Sequence, residues 1–301
     1  MRNFILGTDW WTDCDDAVAL RLLLNEKKRK NIDLIGIVVN AVMDCSIASV
    51  DGFLQLENET DIPIGVDLAG NDFGGFPPYQ KRLSEYAARY KSNSDAEDAV
   101  HLYRRLLASS DDKVEIIEIG FLQAFAALLL SEGDDISPLC GIDLVREKVS
   151  RCWIMAGKWD KDGDCEHNFA KNRRSIDGGM TVLEKCPVPI TFLGWEVGYG
   201  VITGDDLDSD DHLYRVLIDH KSENGRHSWD PMTVLLAIVG DLKSAGYRSV
   251  IGKASLDAAD GANHFTECKG GPHAYVIKKK NDSYYKDEIN KRISKIKSDE
   301  I

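Results

Sequence analysis

No Cys-x-x-Cys pair occurs in the 301 residues, and the seven cysteines make an odd count. A disulfide framework or a structural zinc site is therefore not expected, and reduced thiols in a cytoplasm are the simpler reading. Long apolar runs are also missing, since none approaches the roughly 18 residues that a membrane span requires. The apolar stretch Phe4-Ile5-Leu6-Gly7 is too short for a signal peptide and runs straight into Asp9. Clustered basic residues are scarce against a formal net charge of −13. Phosphate-backbone binding needs such clusters, so nucleic acid is not an expected partner. The lysines near the end (Lys278, Lys279, Lys280, Lys286, Lys291, Lys295, Lys297) alternate with acids and read as the solvated face of a terminal helix. A locally acidic pocket would suit a cation or a neutral polar small molecule instead. No Ser/Gly/Pro-rich linker, internal repeat or low-complexity tract divides the chain. A single domain over residues 1–301, soluble and cytoplasmic, is the expectation.

With 43% hydrophobic residues, the chain can bury a sizeable core. Short apolar runs alternate with amphipathic stretches. Phe4-Ile5-Leu6 precedes a helical segment from Ala17 to Leu24, and Leu34 to Val39 precedes another from Ile47 to Leu56. Ile62 to Val66, Val114 to Ile119, Cys152 to Ala156 and Val188 to Leu193 read as further buried strands, with Ala124 to Leu130 as a helix between two of them. Strand and helix in repetition predict an α/β fold with a mostly parallel central sheet flanked by helices. Such sheets place ligands at the carboxyl ends of their strands. Asn71 to Pro78, Lys158 to Asn172 and Asp219 to Ser228 are polar, irregular and read as loops or lids.

Four carboxylates gather after the first strand, in Thr8-Asp9-Trp10-Trp11-Thr12-Asp13-Cys14-Asp15-Asp16. Packed anions raise one another's pKa unless a cation or proton compensates them, and calcium takes about six to eight oxygen ligands. Asp15 and Asp16 open a helix, so they point about 100° apart and can serve different targets. Helix capping by Thr12 and Asp15 is the plainer alternative. It accounts for one or two of these acids, not for four.

The segment Gly7-Thr8-Asp9 … Asp15-Asp16-Ala17-Val18-Ala19-Leu20 resembles the opening of the inosine–uridine nucleoside hydrolase family, Asp-Thr-Asp-Pro-Gly-x-Asp-Asp-Ala-x-Ala-Leu. The loop here is two residues longer and lacks the Pro-Gly. Further segments are similar to the family in the same order. They are Gly36 to Asn40, Ile119 to Ala124 (against Gly-Pro-Leu-Thr-Asn), Glu166-His167-Asn168 (against Glu-Phe-Asn) and Trp229-Asp230-Pro231 (against His-Asp-Pro). The likeness spans roughly residues 3 to 240. It implies an open, Rossmann-like nucleoside hydrolase fold, and calcium held by Asp9, Asp16, Asp230 and the main-chain oxygen of Gln123. It also implies Asp15 as general base, with Asn40, Glu166 and Asn168 on the ribose. The implied activity is hydrolysis of a ribonucleoside to ribose and free base, and the family's habit of pairing implies a homodimer or homotetramer. Asp13 has no counterpart and is either a substitute ligand or an inert loop residue. Asp230-Pro231 is also an ordinary helix start.

Leaving-group activation departs from the pattern, because Trp229 replaces the family's His. Trp229 with Trp10 or Trp11 would form a stacking platform for a base, and His167 or His227 would be a relocated acid. Trp153 and Trp195, beside strands, are assigned to packing. Two other readings stand beside this one. The first is a hydrolase of an N-riboside with a good leaving group, such as a pyridinium base. The second is a catalytically silent ribose- or nucleoside-binding protein. A haloacid-dehalogenase-like phosphatase is set aside, since Trp11 occupies the position of its second Asp.

Overall fold

The computed structural model describes residues 1–296; Lys297 of the lysine-rich tail lies outside them. β1 (Arg2–Thr8) leads into α1 (Asp15–Lys28), followed by β2 (Ile32–Val39), α2 (Ser46–Leu56), β3 (Ile64–Val66), α3 (Gln80–Ser84), β4 (Glu97–Asp98) and α4 (Ala99–Ser109). The chain then forms β5 (Val114–Glu118), α5 (Gln123–Leu130), α6 (Gly141–Lys148), β6 (Val149–Met155), α7 (His167–Ala170), α8 (Arg173–Lys185), β7 (Ile190–Leu193) and α9 (Trp195–Gly198). β8 (Ile202–Thr203), α10 (His212–Asp219), β9 (Arg226–His227) and α11 (Trp229–Val239) come next. Strands β10 (Tyr247–Leu256), β11 (Asn263–Glu267) and β12 (His273–Lys278), then α12 (Asp282–Ile293), complete the order.

Ten strands form one sheet in the order β11-β10-β12-β7-β6-β5-β1-β2-β3-β4. Every pair from β12 to β4 is parallel, and β10 alone runs against its neighbours. The mostly parallel α/β sheet expected from the alternation is therefore what the chain forms. The buried strands carry near-continuous apolar runs because helices cover both faces. One face packs Phe4, Leu6, Ile37 and Ile117 against α1, α2 and α11; the other packs Ile5, Val38, Ile116 and Ile154 against α4, α5 and α8. Helix α1 is buried continuously from Asp15 to Glu26, so even its Arg21 is inside, paired with Glu57 and Asp211.

The chain builds β2, β3 and β4 outward on one side of β1, then returns to lay β5, β6 and β7 on the other. The order reverses between β1 and β5, and the carboxyl ends there splay to leave a crevice. At that point the Asn40 amide donates to the Thr8 carbonyl (2.9 Å) and the Ile119 amide to the Gly7 carbonyl (2.8 Å). These bonds bring the ends of β1, β2 and β5 together. Gly120 is required for this closeness, because a Cβ there would lie 2.4 Å from the Asp9 amide nitrogen.

The three expected loops are partly structured. Residues 71–78 contain no helix or strand. Lys158 to Asn172 contains α7, and Asp219 to Ser228 contains β9, which pairs with β8. The terminal helix is α12, with Lys278 to Lys280 ahead of it rather than on it. No helix among the described residues is long and apolar enough to cross a membrane.

Candidate functional site

A cavity of about 250 Å³ opens at the β1/β5 switch point. Its floor is acidic, with Asp9 from the end of β1, Asp15 and Asp16 from the first turn of α1, and Asp230 from the first turn of α11. Oxygens of Asp15, Asp16 and Asp230 lie within 4.8 Å of one another, and all three residues are buried. The Asp230 amide donates to Asp15 Oδ2 at 3.1 Å, which ties α11 to α1. The N-cap of α11 is Ser228 rather than Asp230, so capping does not account for Asp230. Thr8 Oγ1 and the Trp10 amide (3.1 Å) both donate to Asp16 Oδ1.

Burial and mutual repulsion govern these acids. Burial, then the charges of Asp16, Asp15 and Asp13, holds the Asp9 carboxyl well above the usual range. Asp15 is raised by burial, Asp13 and Asp16, against an opposing hydrogen bond from the Asp230 amide. Asp230 is raised by burial, then by Asp15, Asp16 and Asp9. Burial pushes Asp16 up to about 7 despite the bonds from Thr8 and Trp10. No Lys, Arg or His among the described residues forms an ion pair with any of the four. A dry, unneutralised set of hard oxygen donors fits a hard divalent cation. Asn40 Nδ2 is a buried donor without a partner among the described residues, an atom that calls for an acceptor oxygen rather than a cation, and its Oδ1 accepts from the Phe121 amide at 3.2 Å.

The opposite end is aromatic. Trp11, His167, Trp195 and Trp229 line the cavity. His167 stacks on Trp11 (centroids 5.4 Å apart, planes at 21°), and burial, then the Lys171 charge, lowers its pKa. The Trp229 indole donates to the Trp195 carbonyl at 2.9 Å. Trp195, assigned to packing from the sequence, also faces this cavity. Trp10 does not. Its backbone takes a left-handed turn (φ 41°), and its indole enters the core to donate to Ser49 Oγ at 2.8 Å between Phe53 and Tyr79. Trp153 is core, bonded to Glu115 at 2.7 Å. His227 stacks on Tyr199 (4.7 Å) outside the residues that line the cavity.

Glu166 caps α7 and lines the cavity; its two oxygens accept from the Asn168 amide (3.0 Å) and the Gly157 amide (2.8 Å). Burial carries it to about 7 against those bonds. Asn168, also on the wall, is held by Nδ2 donating to the Met155 carbonyl at 2.9 Å.

Gln123 stands apart from this set. It is the first residue of α5, where a carbonyl normally receives the amide four residues on, and it borders a separate surface depression beside α8. Its side-chain amide donates to the Asn40 carbonyl and to Asp67 Oδ2 (3.1 Å). The β5 residue on the cavity wall is Ile119, one position past the strand and outside helical bonding. Ile119 was not singled out in the sequence, because what a main-chain oxygen offers leaves no mark on residue type. Asp13 was ambiguous in the sequence. Both its oxygens accept from Arg226 (Nε 2.8 Å, Nη2 2.5 Å), so it is held at the cavity wall by an ion pair.

No family model and no curated protein matches the sequence. Solved structures do match the fold. An inosine-uridine preferring nucleoside hydrolase from Bacillus anthracis is 17% identical with a TM-score of 0.68, covering 97% of this chain and 99% of that one. A plant nucleoside hydrolase is 15% identical with a TM-score of 0.73, covering 97% and 98%. An inosine-guanosine nucleoside hydrolase is 14% identical with a TM-score of 0.70, again covering 97% and 98%. Over nearly its whole length, this chain has the fold of the nucleoside hydrolases.

Proposed function

We propose that this protein hydrolyses the N-glycosidic bond of a ribonucleoside in a calcium-dependent reaction, giving ribose and free base. The observation that carries the reading is the convergence of Asp15, Asp16 and Asp230 in a cavity that three indoles also line. A polar, acidic end suits a sugar and a cation; an aromatic end suits a flat base. The similar folds are named for this reaction.

Asp9, Asp16 and Asp230 would hold the cation, with the Ile119 carbonyl in place of that of Gln123. When bound, calcium would compensate the carboxylates, acidify a water and organise vicinal hydroxyls. Asp15, with one oxygen held by the Asp230 amide, would take the proton of the attacking water with the other. Glu166 and Asn168, each fixed by main-chain bonds, would orient ribose hydroxyls. Asn40 Nδ2, otherwise without a partner, would donate to the bound sugar or water. Trp11 and Trp229 would stack on the base, a contact worth about 0.5–1.5 kcal/mol beyond area.

The pyridinium alternative draws no support from the aromatic end. Lys171, Lys158 and Arg226 already lie 4.7, 5.5 and 5.4 Å from the ring centroids of Trp11, Trp195 and Trp229. Rings with a resident cation attract a second one less. A reducing-sugar assay over purine, pyrimidine and pyridinium ribosides, with calcium titrated into chelator-treated protein, tests the proposal. Calcium-dependent ribose release from a neutral nucleoside is expected. Release from none of them, with calcium binding intact, would leave only the silent binder.

A further inference from the structure

Asp13 occupies the one stretch of the site with no counterpart in the family motif, and the structure gives it defined surroundings. Its Oδ1 accepts from the Cys14 amide (2.7 Å) and from Arg226 Nε (2.8 Å), while among the described residues Oδ2 accepts only from Arg226 Nη2 (2.5 Å). A carboxylate offers about four lone-pair sites, so one acceptor site on Oδ2 remains. The side chain is 29% exposed and the residue lines the cavity. Arg226, paired with Asp13, also holds its guanidinium carbon 5.4 Å from the Trp229 ring centroid, so the ion pair links Asp13 to the indole part of the cavity lining. His220, whose Nε2 is 3.8 Å from Asp13 Oδ1, adds a second contact from the chain segment that carries Arg226.

From this geometry we infer that Asp13 is a specificity residue that reads the edge of the leaving base, selecting ribonucleosides whose base carries a ring lactam N–H. The inference rests on the hydrolase reading for its setting. Its chemistry is separate. An ionised carboxylate is acceptor-only, and its hydrogen bonds are shortest and strongest with the more acidic donors. A lactam N–H is more acidic than an exocyclic amine, and a base edge presenting only acceptors would be repelled. Arg226 serves as a positioning residue that holds the Asp13 carboxylate through two hydrogen bonds. The metal-floor acids remain free for the sugar end.

Inosine and 1-methylinosine differ at this donor alone. Their Kd values are measured by calorimetry on the full-length calcium-loaded protein carrying Asp15→Asn, so that neither nucleoside is consumed during the titration. With Asp13 native, this protein is expected to bind inosine at least tenfold more tightly. In Asp13→Ala the ratio should fall to near one. Asp13→Asn keeps the size of the side chain, but Arg226 draws the amide oxygen and leaves an N–H facing the base, so this variant should also lose the preference. A preference retained in both variants, or absent with Asp13 native, overturns the inference, as does failure to bind either nucleoside. Discrimination that depends on Asp13, with no ribose release by the protein that keeps Asp15, would uphold it while sinking the hydrolase reading.

Discussion

The acidic floor makes a stability prediction that does not depend on substrate. Asp16 rises from the usual 3.8 to about 7 because it is buried among other carboxylates. At about 1.4 kcal/mol per pH unit, that corresponds to roughly 4 kcal/mol of folding free energy. A carboxyl whose folded-state pKa exceeds its unfolded value stabilises the fold while protonated. The contribution is full below about pH 3.8 and is lost as pH rises through about 7. Chains of this length unfold with an entropy near 0.6 kcal/mol per kelvin, from about 2.1 cal/mol/K per residue. Between pH 5 and pH 8 only the span from 5 to about 7 is crossed, roughly 3 kcal/mol. The calcium-free protein should therefore melt about 2–4 °C lower at pH 8 than at pH 5, the lower figure allowing for local relaxation. The proposed calcium would bind the ionised cluster, so its stabilising increment should grow over the same interval. In Asp16→Asn the carboxamide oxygen can still accept from Thr8 and Trp10. This variant should melt above native protein at pH 8 in chelator while losing its response to calcium. Thermal melts at pH 5 and 8, with chelator or calcium, decide the matter. A flat calcium-free profile, together with an Asp16→Asn protein less stable than native at pH 8, would refute the electrostatic account of the floor.

Asp15→Asn can retain the bond from the Asp230 amide, so folding should be unaffected while ribose release falls roughly 100- to 10,000-fold, the usual worth of a general base; steady-state kinetics checks this. Gly120→Ala places a Cβ 2.4 Å from the Asp9 nitrogen and should cost roughly 1–3 kcal/mol through overpacking. Calcium titration of the same variant should show weakened affinity, because Asp9 must move. Arg21→Met leaves Glu57 and Asp211 buried without their guanidinium, and should cost roughly 3–5 kcal/mol in denaturant melts. Its activity per folded molecule should stay near native, since Arg21 lies away from the cavity.

Much of this site was legible because two local rules coincide in it. An apolar run that stops at an acid, followed by a helix opening with acids, marks a strand end in a parallel sheet, and Asp9, Asp15 and Asp16 sit at such an end. Asp230 opens α11 after the polar segment that carries β9 and was readable only through the likeness of Trp229-Asp230-Pro231 to the family's His-Asp-Pro. Glu166 and Asn168 were readable through the likeness of Glu166-His167-Asn168 to the family's Glu-Phe-Asn, although the segment read as a loop. The three strands after residue 246 were not. β10 alternates Arg248, Val250, Lys253 and Ser255 with few buried positions, so neither the continuous apolar run of a buried strand nor a clean amphipathic pattern announces it. Its antiparallel course also departs from the strand–helix alternation that predicts the rest. Ile119 stayed hidden for a different reason: what its backbone offers is independent of its side chain, and only the reversal of strand order at β1 and β5 locates it.

The aspartate loop shows where local reading runs out. Trp10 and Trp11 are adjacent and chemically alike, yet one is core and the other lines the cavity. The difference is set by the left-handed turn at Trp10, which drives its indole between Phe53 and Tyr79 and leaves Trp11 toward His167. The Trp11 indole is then tied to the Gly74 carbonyl in the 71–78 loop, and Asp13 to Arg226, 213 residues away. Three anchors from three distant segments hold a loop that is two residues longer than the motif it resembles. Without them, the added length would be free chain beside a charged floor. With them, the insertion becomes a wall that carries an indole and an oriented carboxylate. The acids common to the motif would serve the sugar, and the inserted residues would be the ones to choose the base.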